Sequence, residues 1–287
     1  MLNSILDFTP KLPIADAVDD FTKQLTSTFS GIFQFFKVDG KEAMEFISEK
    51  LLLIPPIFVI IIIALVAFFV TGKKFGLATF SIVGLWFVYN QGLWGHLIDT
   101  FTLVLVSSLL SVIIGVPFGI LMSKSKAAEA IIAPILDFMQ TMPAFVYLIP
   151  AVAFFGIGMV PGVFASLIFA TPPTVRFTNL GIRQVSAELV EAAEAFGSTG
   201  IQKLFKVELP MARTTIMAGI NQTVMLALSM VVTASMIGAP GLGRDVLSAL
   251  QRANAGTGFV AGLSIVILAI IIDRFTQNLN KNSKTES

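Results

Sequence analysis

Cysteine is absent from the 287 residues and histidine occurs once, at His96. The first absence removes any disulfide framework, thiolate nucleophile or cysteine-based metal site. The second removes most imidazole chemistry, and His96 reads as a surface residue. Charge is scarce as well. Asp, Glu, Lys and Arg make up 13% of the chain, against about 25% in soluble domains. A chain this poor in charge cannot cover itself with a wetted surface. Its formal net charge of +1 gives no electrostatic case for binding nucleic acid. No Gly-x-x-x-x-Gly-Lys-Ser/Thr phosphate loop occurs, because Gly40-Lys41-Glu42 and Gly72-Lys73-Lys74 lack the context. The chain is therefore expected neither to hydrolyse ATP nor to act as an enzyme. Residues 1–20 lack a basic start and an apolar run and carry Asp7, Asp16, Asp19 and Asp20, so no signal peptide is expected.

What remains is apolar. Hydrophobic residues make up 55% of the chain and mean hydropathy is +0.86, which places it among integral membrane proteins. The runs are long and continuous rather than alternating, so they predict helices and not a barrel. The expected fold is all-α, a polytopic bundle of about seven transmembrane helices. The spans are read at 51–70, 75–89, 101–122 and 131–156, then a short one ending near Pro172-Pro173, then 214–237 and 259–272. Pro55-Pro56 is expected to bend the first. Pro134, Pro143 and Pro150 interrupt the fourth, and prolines there equally suit broken or re-entrant helices.

Orientation follows from basic residues. With seven spans, one set of loops holds Lys73, Lys74, Lys124, Lys126, Arg176, Arg183, Lys203, Lys206, Arg213, Arg274, Lys281 and Lys284. The opposite short loops hold only Arg244 and Arg252. The basic side is read as cytoplasmic, with the N-terminus outside and the C-terminus inside. In the N-terminal tail Phe21, Leu25, Phe29, Ile32, Phe33 and Phe36 recur at three- and four-residue steps, which predicts an amphipathic helix. It lies on the outer membrane face or packs on the outer ends of the spans. The resulting division is a tail at 1–50, peripheral scaffold spans at 51–96, a core at 97–277 and a cytoplasmic tail at 278–287.

Within the core, residues 183–210 form a charged, helix-forming island that must stand in water. Glu191-Ala192-Ala193-Glu194-Ala195 is strong helix former, and Gly197 suits a left-handed cap just beyond it. A second helix is expected from about Gly200, ending where Pro210 follows. Small alanine side chains on one face allow a partner's backbone to come close. Glu-Ala-Ala, three residues, Gly, nine residues, an apolar position, one residue and Leu-Pro is the pattern here, filled by Glu191, Ala192, Ala193, Gly197, Val207, Leu209 and Pro210. It resembles the EAA loop of binding-protein-dependent ABC-importer permeases, with Val207 where isoleucine is usual. Residues 140–150, Phe155-Gly156-Ile157-Gly158, 172–176, 219–223 and 236–243 are similar to the glycine betaine/proline branch of that family, over roughly residues 97–274.

The resemblance implies a type I ABC importer fold in the cell membrane and a cargo such as glycine betaine. Choline, carnitine and proline are alternatives of the same class, and an ion-coupled secondary transporter is a rival of another. It implies no cofactor on this chain, with ATP-Mg on a cytosolic ATPase, and no metal. Its partners would be ATPase subunits, an extracellular substrate-binding protein, membrane lipids and a second copy of the chain. Glu188, Glu191, Ala192, Ala193, Gly197, Lys203, Leu209 and Pro210 would then dock the ATPase. No fused receptor is expected after the last span.

Other polar residues read two ways. Gln140, Pro143, Tyr147, Asn221, Gln222 and Thr223 line a pathway or join helices. Gly238, Gly241 and Gly243 with Pro240 shape an outer gate or a plain outer turn. Asp137 is an intramembrane carboxylate or one satisfied by backbone or Lys126. Asp273-Arg274 is expected to end a span at the interface. Trp86, Tyr89 and Trp94 form an interfacial belt or a cage for a quaternary ammonium.

Overall fold

The computed structural model describes residues 12–282. Asp7, Lys11 and Lys284, and with them the ends of both tails, lie outside the described residues. Every regular element among the described residues is helical: α1 (Ile14–Thr28), α2 (Ser30–Leu52), α3 (Pro56–Val70), α4 (Phe75–Asn90), α5 (Trp94–Lys124), α6 (Lys126–Thr141), a 3₁₀ turn (Ala144–Tyr147), α7 (Leu148–Phe155), α8 (Met159–Arg183), α9 (Ala187–Ala195), α10 (Gly200–Lys203), a π turn (Leu204–Glu208), α11 (Leu209–Ser235), α12 (Leu242–Gln251) and α13 (Ala255–Asn282).

Among the described residues, three helices are long and apolar enough to cross a membrane: Trp94–Lys124, Gly200–Ser235 and Ala255–Asn278. Two bent pairs bring the number to five if each pair is one span: α2 with α3 at 91°, and α6 with the segment Ala144–Phe155 at 110°. The expected fourth span is therefore not one rod. Pro143 follows Met142, whose backbone is extended (ψ 135°), as the residue before a proline prefers, and the chain turns there. The first expected span is shortened for a similar reason. Pro55 is extended and Pro56 opens α3, where a missing N–H costs nothing, so residues 51–52 end α2. At 15 residues α3 is about 22 Å long.

Two expected helix ends are overturned. Pro172 and Pro173 do not end the fifth span, since α8 runs through both to Arg183. Hydroxyls bond the carbonyls on either side of the two, at Ile168 and Phe169, that the prolines leave without a helical donor: Thr171 and Ser111 donate to the carbonyl of Leu167, and Thr223 to that of Ala170. Pro210 does not close the helix before it either. A π turn has already shifted the backbone register, and Pro210 enters at the first turn of α11, where its absent donor is tolerated.

Helix α8 is the central post, packed between α5 and α11. Small residues let the backbones close up. A Cβ at Gly119 would stand 2.6 Å from the carbonyl oxygen of Val175, one at Gly115 2.8 Å from Thr174, and one at Gly219 2.5 Å from Phe177. Leu85, Val88, Leu103, Val104, Ala227 and Leu242 fill the main core. The α3–α4 hairpin sits beside α13, and α12 and α13 pack on α11.

The amphipathic tail is two helices, broken at Phe29. Helix α1 buries nothing, whereas α2 packs on the bundle. The Phe33 ring stacks on Phe154 at 4.9 Å, and buried Ser48 donates to Thr102 at 3.0 Å. Helix α2 thus packs against the ends of other helices rather than standing free.

Candidate docking site

Residues 184–208 connect α8 to α11 and leave the bundle. Ser186 precedes α9, and Glu188 falls in its first turn, where a carboxylate favours the positive end of the helix dipole. The far end closes in a Schellman motif: Ser198 N–H donates to Ala193 O at 3.0 Å and Gly197 N–H to Glu194 O at 2.9 Å. Gly197 holds φ +79°, and nothing lies within 4 Å of where its Cβ would be. Backbone conformation, not crowding, therefore selects glycine there. Thr199 then opens α10 with a capping box, its hydroxyl accepting from Gln202 N–H while Gln202 Oε1 accepts from Thr199 N–H at 2.9 Å.

The two arms are tied together by an ion pair between Lys203 and Glu194. Hydrogen bonding and the charge of Lys203 hold the Glu194 carboxyl below the usual carboxylate range, and the same partner holds the Lys203 ammonium above its usual value. The depressed group stabilises the fold above the ordinary carboxylate pKa and loses this as pH falls through the folded value. The raised group does so below the ordinary lysine pKa and loses it as pH climbs through the folded value. The bridge is therefore intact throughout the neutral range, and solvent screening keeps it weak.

The foot of the island is anchored more firmly. Glu208 is 4% exposed and accepts from the Lys124 ammonium at the end of α5. Arg183 donates to Met122 O at 2.9 Å and to Glu129 at 2.7 Å, joining the end of α8 to the α5–α6 corner. Arg176 pairs with Asp137. That arginine, not Lys126, satisfies the carboxylate.

Glu188, Glu191 and Ala192 are exposed, while Ala193 and Lys203 are half-buried. Leu209 and Pro210 sit at the foot, half-buried and exposed respectively. Sequence reasoning missed the apolar members. Phe196 is 92% exposed and Ile201 73%, and Leu189 and Phe205 are exposed too. Large apolar side chains left exposed on a charged element form the kind of patch that a protein or a membrane covers. The signal was present: these residues belong to no apolar run able to bury them.

The other candidates divide. Thr223 is buried, bonded to Thr174 at 2.7 Å and to Ala170 O at 2.8 Å. Asn221 donates to Asp273 at 3.0 Å and accepts from Thr276, so both join helices. Asp273 sits inside α13, which continues to Asn282, and its carboxylate accepts from Asn221 and Gln277. Gln222, Gln140 and Pro143 are exposed. Tyr147 is buried, its hydroxyl donating to Met139 O.

Gly238 (φ +85°) and Gly241 (φ +110°) shape the loop before α12. Leu242 N–H donates to Thr100 Oγ1 at 2.8 Å, and Gly158 N–H to Ile237 O at 2.9 Å, so this loop is stitched to α5 and to the α7–α8 turn. A Cβ on Gly243 would strike Val231 O at 2.4 Å. His96 is on the surface as expected, and its Nδ1 lies 2.6 Å from Asp245 on α12. Trp86 and Tyr89 are exposed, and Trp94 is buried, edge-on to Tyr89 at 6.3 Å. No group of three potential metal ligands occurs among the described residues.

Residues 115–285 match the model of the family described as binding-protein-dependent transport system inner membrane component. The glycine betaine/carnitine transport permease protein GbuB of Listeria monocytogenes is 58% identical over 96% of this chain and 99% of its own. The glycine betaine transport system permease protein OpuAB of Bacillus subtilis is 49% identical over 98% and 99%. The glycine betaine/proline betaine permease ProW of Escherichia coli is 46% identical over 96% and 77%. Among solved structures, the inward-facing MetNI methionine ABC transporter aligns with TM-score 0.61 over 64% of this chain and 93% of that chain, at 20% identity. That likeness speaks to the fold.

Proposed function

The chain belongs to the binding-protein-dependent transport system inner membrane components, and on that premise we propose that it conducts glycine betaine or a related quaternary-ammonium osmolyte into the cell. It is a multi-pass membrane permease subunit of an ABC transporter and not an enzyme; ATP hydrolysis lies in a separate ATPase. One observation carries the coupling assignment: a helical elbow, tied at its foot to α5 through Glu208, presents Phe196 and its apolar neighbours away from the bundle.

In this reading the elbow end faces the cytoplasm, the N-terminus lies outside, and α3, α4, α8 and the bent α6–α7 segment join the three long apolar helices to make seven crossings. The partial units are a tail at 1–50, scaffold helices at 51–96, a core at 97–277 and a tail at 278–287. Two copies of the chain, each with one elbow, engage two ATPase subunits, and a substrate-binding protein delivers cargo from outside. ATP-Mg resides on the ATPase, and this chain holds no cofactor. When the ATPases close, the elbows move with them. The Lys124–Glu208 and Arg183–Glu129 pairs pass that motion to α5, α6 and α8, and the outer ends around Gly158 and Gly238 part. Glu188, Glu191, Ala192, Ala193, Gly197 and Lys203 build the docking elbow, and Gln222 and Gln140 remain the candidates for the pathway.

The choice among cargoes rests on the relatives' names, and GbuB's favours carnitine as the second candidate. Uptake of labelled glycine betaine by the complex reconstituted with its ATPase and receptor, competed by unlabelled betaine, carnitine, choline and proline, tests it. Betaine is expected to compete best. Stronger competition by choline or proline would reassign the cargo, and gradient-driven uptake by the chain alone would reject the ATP-driven reading.

A further inference from the structure

Below the α3–α4 hairpin, a groove of about 510 Å³ opens between the turn at Gly72, the start of α4 and the C-terminal half of α13. Its polar wall carries Lys74, Arg274 and Asn278; its apolar wall carries Phe80 and Ile270. We propose that this groove binds the headgroup of an anionic phospholipid, with Lys74 and Arg274 holding one phosphate and an acyl chain lying over Phe80 and Ile270.

Four observations converge. Lys74 and Arg274 come from segments 200 residues apart in sequence, yet line one groove, and both side chains are exposed. Neither makes an ion pair among the described residues, in contrast to Lys124, Arg176, Arg183 and Lys203. Gly72 and Gly76 have nothing within 4 Å of a notional Cβ, so the space over the turn is open. The groove also lies at the end of a helix. Helix α4 runs from it to Tyr89, which meets Trp94 at the start of α5, so the groove and that aromatic pair sit at opposite ends of α4.

The apolar wall decides between sources of phosphate. A free phosphate gains nothing from Phe80 and Ile270, whereas a lipid places its headgroup on the cations and its chain on the helices, as basic pockets between membrane helices do. Each cation near a membrane surface contributes about fivefold to the affinity for an anionic lipid. Native mass spectrometry of the full-length permease released from nanodiscs, titrated with phosphatidylglycerol and with phosphatidylcholine, tests the assignment. Wild type is expected to retain phosphatidylglycerol preferentially. A Lys74→Gln/Arg274→Gln double variant is expected to lose about twentyfold or more of that affinity, while Lys73→Gln on the same turn, outside the groove, retains it. Equal retention of the two lipids, undiminished binding in the double variant, or glycerol phosphate binding as tightly as the lipid would overturn the proposal. A circular dichroism spectrum and unfolding temperature matching wild type keep the double variant interpretable. If it unfolds, competition by magnesium ions on wild type replaces it, and phosphatidylglycerol retention insensitive to magnesium would equally overturn the proposal.

Discussion

Phe196 and Gly197 divide the work of the elbow between contact and shape. Phe196 is nearly free of its own chain, and an aromatic anchor of that kind typically contributes more than 1 kcal/mol to a partner interface. Phe196→Ala is expected to weaken ATPase association about tenfold or more with the permease's unfolding temperature unchanged, as read by titrating the ATPase onto nanodisc-held permease. Gly197→Val acts differently, because a β-branched residue at φ +79° is strained by about 1–2 kcal/mol. The elbow then reshapes, hydrolysis by the bound ATPase continues and uptake falls. The Glu194–Lys203 pair gives a pH test. A spin label on Ala195 in single-cysteine permease, straightforward in a chain without native cysteine, should report constant mobility through the neutral range. Mobility should increase only as pH drops below the ordinary carboxylate range, and Lys203→Met, which abolishes the pair, should leave the label mobile at every pH with no such onset. An onset unaffected by the substitution would remove the pair from the account.

Helices in this bundle are held by close approach rather than by a broad hydrophobic stripe, because both lipid and core are apolar. Gly119 faces the backbone of α8, while Gly262 in α13 has nothing within 4 Å. Gly119→Val should therefore lower stability by about 1–3 kcal/mol, whereas Gly262→Ala should leave it unchanged or raise it by about 0.5–1 kcal/mol. Thermal unfolding in detergent reads both, and equal effects would deny α8 its central place. The same elements show what the residue pattern could tell. Apolar runs gave the helices, and Glu-Ala-Ala with Gly197 gave the elbow, since propensity and capping are local. The prolines misled. Pro172, Pro173 and Pro210 are helix breakers in isolation, and neighbouring helices or a π turn accommodate them here. Pro143, locally similar, does redirect its helix. Pairings such as Lys124–Glu208 and Arg176–Asp137 join residues 84 and 39 positions apart. No periodicity within one helix encodes them.

At the scale of the molecule, the elbow, the α5–α6 corner and the lower half of α8 form one connected block, joined by Lys124–Glu208, Arg183–Glu129 and Arg176–Asp137. The loops at the other end, around Gly158, Gly238 and Gly241, are joined by backbone and hydroxyl hydrogen bonds, with the His96–Asp245 contact beside them. In the proposed reading, a push delivered at the elbow reaches α5, α6 and α8 through the ion pairs below. The most direct measurement is thiol cross-linking from Ala192→Cys in the assembled transporter, with and without nucleotide, alongside labelling of the same cysteine by a membrane-impermeant maleimide in intact cells. The account predicts a cross-link to the ATPase whose yield changes with nucleotide, and no labelling from outside. A position that never reaches the ATPase, or that the impermeant reagent modifies in intact cells, would contradict it.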